Sequence, residues 1–162
     1  MPNRSVGTDK KSCGLEYNLP KGRGTAVILY NGTGSAIAKG DVMEIDYNSS
    51  TEGQEVQAIA CATSTSIFRR VVVALEVVAN GSRGRFCKKG ICDAYVYDAS
   101  TLAAGRHLEV LNGNNEFKDA GGTSRVIESA AVLREAYTAS DQGANALKSV
   151  YLIGEEQSIK AS

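Results

Sequence analysis

A chain of 162 residues, 43% of them apolar, is long enough to bury one self-sufficient core and short enough to favour one domain over two. Its 18 basic residues balance 18 acidic ones, so it lacks the basic excess that nucleic-acid binding draws on, and copies of it repel one another little. No run of about 18 apolar residues occurs, which excludes a membrane-spanning helix.

The 17 glycines against 2 prolines, with no Trp, suggest many tight turns rather than linkers. Residues 1–24 are polar, carry Lys10, Lys11 and Lys21, show no periodicity and end in Leu19-Pro20-Lys21-Gly22-Arg23-Gly24. They read as an extended N-terminal arm that orders against a partner, without the apolar stretch of a secretory signal. The chain is therefore expected to be made in a cytoplasm, and the sequons at Asn31, Asn48 and Asn80 are read as turn residues.

Thr25 to Tyr30 is a short apolar run closed by Asn31-Gly32-Thr33-Gly34, a strand followed by a turn. Asp41 to Tyr47 alternates, with Met43, Ile45 and Tyr47 on one side and Glu44 and Asp46 on the other, as in a strand with one buried face. Glu55 to Cys61 is a weaker strand. Ile67 to Val78 is the most apolar segment, and its β-branched Val71, Val72, Val73, Val77 and Val78 favour a central strand. Arg83 to Lys88 and Ile91 to Tyr97 read as a hairpin with Lys89-Gly90 at its tip. Arg106 to Leu111 and Asn115 to Lys118 flank a second turn at Asn112-Gly113. Arg125 to Thr138 fits helical and strand spacing equally, and Leu147 to Ile153 is a final strand. The whole is an all-β domain, barrel or sandwich, over 25–155, with a polar tail at 156–162.

Four cysteines occur, of which only Cys87 and Cys92 are close, and His107 is the sole histidine. That is too few ligands for zinc, so no metal or cofactor is expected, and both cysteines are read as packing residues. His107 falls in a strand with no nucleophile elbow in the sequence, which favours a surface or structural role over a Ser-His-Asp triad. Gly22-Arg23-Gly24 and Gly32-Thr33-Gly34 lack the continuation of a phosphate loop. Asp41, Glu44 and Asp46 could form an acid-base pair or hold a cation, but solvated carboxylates on an outer strand face are the default. The expectation is a non-enzymatic binding domain.

Six segments in order are Ala38–Val42, Phe68–Leu75, Gly90–Val96, Ala103–Leu108, Ala130–Ala136 and Lys148–Ile153. This succession of glycine-led and valine-rich strands resembles the head decoration, or capsid cement, proteins of tailed bacteriophages, over nearly everything after Gly24. The resemblance implies a β-barrel or β-tulip-like domain, commonly trimeric, on the capsid exterior where major capsid subunits meet, and it favours a strand within Arg125 to Thr138. On that reading the chain would be a virion component made in the host cytoplasm, with the major capsid protein as partner and no contact with nucleic acid or membrane. Lys10, Lys11, Leu15, Tyr17 and Leu19 would form a capsid-binding arm that adds a strand to an exposed edge. Val71, Val73, Tyr95 and Tyr97 would form the homotrimer interface. The alternatives are another virion part, such as a tail or baseplate adaptor or a host-binding fibre domain, and then a small hydrolase or sugar-binding domain using His107 or the Asp41 to Asp46 carboxylates.

Overall fold

The computed structural model describes residues 16–46, 55–58, 71–110, 114–121 and 129–154. Among these there are ten strands and no α-helix: β1 (Glu16–Asn18), β2 (Gly24–Asn31), β3 (Val42–Asp46), β4 (Glu55–Ala58), β5 (Val71–Ala74), β6 (Arg83–Val96), β7 (His107–Val110), β8 (Phe117–Asp119), β9 (Ala131–Leu133) and β10 (Ala146–Leu152). The all-β expectation holds. The ambiguous Arg125 to Thr138 contributes β9, while its residues 125–128 lie outside the described set.

Hydrogen bonding closes the sheet on itself twice. β2 pairs with β4 in parallel and with β6 in antiparallel fashion, so β2–β4–β3–β5–β6 forms a ring. β6 also pairs with β10 and, at Val96 and Phe117, with β8, so β6–β10–β9–β7–β8 forms a second ring. Closure leaves few free strand edges, the usual liability of a sheet.

Each ring is tied to its own apolar cluster. Val27, Leu29, Ile37, Met43, Ile45, Val72, Ala74, Val78 and Phe86 form the first. Cys92, Ala94, Val96, Leu108, Phe117, Leu133, Tyr137 and Val150 form the second, joined by Val42, Val71, Val73 and Cys87 from the first ring's strands. Period-two alternation accounts for this split: Val72 and Ala74 turn one way, Val71 and Val73 the other. The valine-rich strand is thus central, as its composition implied. Its second apolar face is covered by the other half of the same chain rather than by another copy. Val71 and Val73 are 8% and 0% exposed, which corrects their assignment to a trimer interface. Burying a valine this fully stabilises the fold by about 1.5–3 kcal/mol.

The expected hairpin at Lys89-Gly90 is not formed. Arg83 to Val96 is one 14-residue strand that crosses from the first ring to the second. Its pairing with β2 slips by one residue beside Thr25/Ala26, where the register passes from Lys89 to Cys87 and skips Lys88. A bulge of this kind bends the strand and reverses the face that later residues present. Phe86 therefore enters the first cluster, whereas Cys87, Cys92, Ala94 and Val96 all enter the second. At the bend Gly24 and Gly90 are paired so closely that a Cβ on Gly90 would lie 2.0 Å from the Arg23 carbonyl oxygen. A turn-forming glycine and a crossing glycine look alike in sequence.

The boundary of the N-terminal arm also shifts. β1 pairs with β2 across Tyr17 and Ala26, a short turn at Pro20–Gly22 follows, and the Leu19 N–H donates to the Gly24 carbonyl at 2.7 Å. Leu19 packs on the second cluster, and Lys88 at the bulge forms an ion pair with Glu16. Residues 16–24 therefore belong to the β-domain. Lys10, Lys11 and Leu15 lie outside the described residues.

Two buried polar groups brace the loops. Asn31, 0% exposed, donates from Nδ2 to the Ser35 and Val78 carbonyls at 2.8 and 3.0 Å and accepts at Oδ1 from the Thr33 N–H and hydroxyl. All its hydrogen-bonding capacity is used, which is what makes burying an amide tolerable. Tyr137 fills the second core, and its hydroxyl meets the carbonyls of Asp98, Asp141 and Ala144.

Candidate interaction surface and adjoining pocket

Strand alternation that sends Cys92, Ala94, Val150 and Leu152 inward turns Ile91, Tyr95, Leu147 and Tyr151 to the opposite face. Cross-strand register sorts these residues into rows. Tyr95 pairs with Leu147, and Ile91 pairs with Tyr151, which pairs in turn with Val132, itself the partner of His107. Between the two rows Asp93 pairs with Ser149, whose hydroxyl and carbonyl meet Arg134. Leu147 and Tyr151 are 44% and 41% exposed, two of the three large apolar side chains left open among the described residues. The third, Val77, lies beyond the end of β5. Two apolar rows flanking a charged one make a surface that can both bury area and fix register.

Leu147 is held over the turn that joins β2 to β3. The Tyr95 N–H donates to the Gly40 carbonyl at 2.9 Å, and a Cβ on Gly40, at φ 93°, would fall 2.4 Å from a Leu147 methyl group. Asp41 closes that turn by accepting the Ala38 N–H at 2.8 Å.

Beside this end of the face opens a pocket of about 490 Å³ lined by Asp41, Tyr95, Asn114, Asn115, Glu116 and Asn145. The turn before β3, the C-terminal end of β6, the residues leading into β8 and the approach to β10 meet here. Glu116 is only 7% exposed. Burial raises the pKa of its carboxyl, and the Asp41 charge raises it further. Burial likewise raises Asp41, against the pull of the Ala38 N–H and the Asn115 amide.

His107 and Ser129 form a Ser–His contact, Nδ1 to Oγ at 3.0 Å. The Ser129 hydroxyl also reaches the Ala131 carbonyl, at 2.9 Å, and with its proton directed there the imidazole Nδ1–H is the donor. In that arrangement the imidazole does not accept the serine proton, as activation of a serine would require. The pair buttresses β7 against the chain entering β9. Cys87 and Cys92 are buried, unbridged and in contact through their thiols. The hydrogen bond with Cys87 and burial push the Cys92 thiol well up, so it stays protonated at neutral pH.

Of the residues expected at an interface, Tyr95 lies on the outward rows and Tyr97 follows the end of β6, half-buried, its N–H bonded to the Phe117 carbonyl. Tyr17 is tied into β1, where burial raises its hydroxyl pKa and the Arg85 guanidinium offsets part of that rise. Sequence reading missed Leu147, Tyr151, Val132 and Glu116. Ala146–Leu152 alternates between two sets that both contain apolar residues, so its outward face cannot be told locally, and the pocket draws on segments far apart in the chain.

No protein-family model and no curated protein matches this chain. A solved structure to which it is similar is the N base of head fiber gp8.5 of bacteriophage phi29. The TM-score is 0.48 at 10% identity, over 78% of this chain and 92% of that one.

Proposed function

We propose that this chain is a non-enzymatic structural protein of a tailed-phage particle. It binds the outside of the head where major capsid subunits meet, as a homotrimer, and stiffens the shell. The observation that carries the reading is the outward face of β6, β10 and β9, where Tyr95–Leu147 and Ile91–Tyr151–Val132 stand as apolar rows on an otherwise closed fold. The six segments behind the resemblance to decoration proteins support it, since they lead into or lie within β3, β5, β6, β7, β9 and β10, and three of those strands carry that face.

Completing the burial of a half-open leucine or tyrosine is worth about 1 kcal/mol per side chain. One copy binds weakly through such a surface, but three copies engaged together multiply the effect through effective concentration. The test is co-sedimentation of the protein with phage shells that lack it. Leu147→Asp with Tyr151→Asp should keep the far-ultraviolet spectrum of the fold, lower melting modestly through the lost packing on Gly40, and abolish co-sedimentation. Full binding by that double variant refutes the reading. Imaging of labelled protein on particles distinguishes head binding from a fibre-borne, host-binding role.

A further inference from the structure

The pocket beside Tyr95 has the chemistry of a cation site. Its lining offers two carboxylates, Asp41 and Glu116, and three side-chain amides, Asn114, Asn115 and Asn145, with no lysine, arginine or histidine among them. Glu116 decides the matter. It is 7% exposed, yet its carboxylate has no hydrogen bond or ion pair among the described residues and lines the cavity. A carboxylate on a largely buried side chain, open only to the cavity it lines, is less well solvated than one in bulk water, and the Asp41 charge adds to the cost. Such a group is stabilised by whatever positive charge enters the space it lines.

Asp41 is prepared differently. One of its oxygens is fixed by the Ala38 N–H, and the Asn115 amide also hydrogen-bonds to it. An amide that donates through its nitrogen leaves its own carbonyl oxygen free to face the cavity. The Asn115 backbone is itself anchored, because its carbonyl accepts the Val42 N–H at 2.9 Å. Neutral amide and anionic carboxylate oxygens, with no thiol or imidazole, are the donors that hard cations take.

We propose that Asp41 and Glu116, with amide oxygens of the neighbouring asparagines and water completing the shell, bind a hard divalent cation of the Ca²⁺ class. The donor set is flexible and open, which suits Ca²⁺ with its six to eight ligands rather than Mg²⁺, which demands a tight octahedron. Two carboxylates in an open pocket place the dissociation constant at about 10⁻⁴–10⁻³ M, the range of extracellular modules. The bound ion would join the turn before β3 to the segment entering β8, bracing the end of the outward face where Leu147 sits on Gly40.

The full chain should be titrated with Tb³⁺, a hard ion that stands in for Ca²⁺ and luminesces when a nearby tyrosine is excited, here Tyr95. Saturable luminescence that Ca²⁺ reverses is expected, with calorimetric Ca²⁺ binding at one site per chain. Glu116→Gln should weaken that affinity about tenfold or more, because it removes one of two ligand charges while keeping the shape. Asn145→Ala, at an exposed position, should weaken it several-fold and serves if Glu116→Gln misfolds. Tyr95→Leu should lose the luminescence and keep the calorimetric binding. No saturable binding up to about 10 mM Ca²⁺ overturns the proposal. So does unchanged affinity in a folded Glu116→Gln variant, which would place the ion elsewhere.

Discussion

Replacing Gly90 by alanine tests the feature on which the two-ring architecture turns, the crossing of β6 over β2. Gly90 has φ 108°, a region L-residues avoid, and its Cβ would sit 2.0 Å from the Arg23 oxygen and 2.6 Å from the Gly24 Cα. Normal carbon contacts are about 3.5 Å, so one backbone must retreat by more than about 1 Å. That retreat breaks the hydrogen bond from the Ile91 N–H to the Arg23 carbonyl, 2.7 Å long, at about 1 kcal/mol. The backbone angle adds about 1–2 kcal/mol and the residual strain about 1 kcal/mol more. A loss of about 3–4 kcal/mol is expected, a large share of a stability of about 5–15 kcal/mol. Gly143→Ala is the control, with φ 71° and nothing within 4 Å of the added Cβ, so only the angle is charged, at about 1–2 kcal/mol. Urea unfolding followed by tyrosine fluorescence measures both, there being no tryptophan to interfere. Equal losses in the two variants, within about 0.5 kcal/mol, would refute the close crossing and restore the hairpin.

Asn31→Ala should cost about 2–3 kcal/mol by the same unfolding assay, since it removes the amide that donates to the Ser35 and Val78 carbonyls and accepts from Thr33, and so frees the 31–35 loop. Asp141 has its pKa lowered to about 2, first by the hydrogen bond from Lys148 and then by the Thr138 N–H and hydroxyl. Because the folded value lies below the unfolded one of about 3.9, the stabilisation is complete above about pH 5 and is lost as pH falls through 2. The gap in stability between the wild type and Asp141→Asn should therefore be constant above about pH 5 and close on acidification, with the carboxyl itself followed by NMR.

Much of the strand content is written locally. The alternation of Met43 and Ile45 with Glu44, the β-branched run Val71–Val73 and the Asn31–Gly34 turn each report a short-range preference that tertiary structure had no cause to overrule. Lys89-Gly90 misleads because positive φ suits a hairpin tip and a close backbone crossing alike, and the choice depends on Gly24, 66 residues earlier. Tyr17 and Leu19 look like a free arm because three strand residues bury too little to show a pattern on their own.

Taken alone, then, the sequence determines that this is an all-β chain with one central valine strand, because side-chain shape and turn chemistry act over a few residues. Which chain covers that strand's second face was decided by tertiary structure. One displaced residue at Lys88 turns Cys87, Cys92, Ala94 and Val96 to a common side, and the ring they line takes up Val71 and Val73. The outward rows at Leu147 and Tyr151 and the carboxylates of Asp41 and Glu116 exist only once both rings have closed, since pairing register is set by partners far away in the chain.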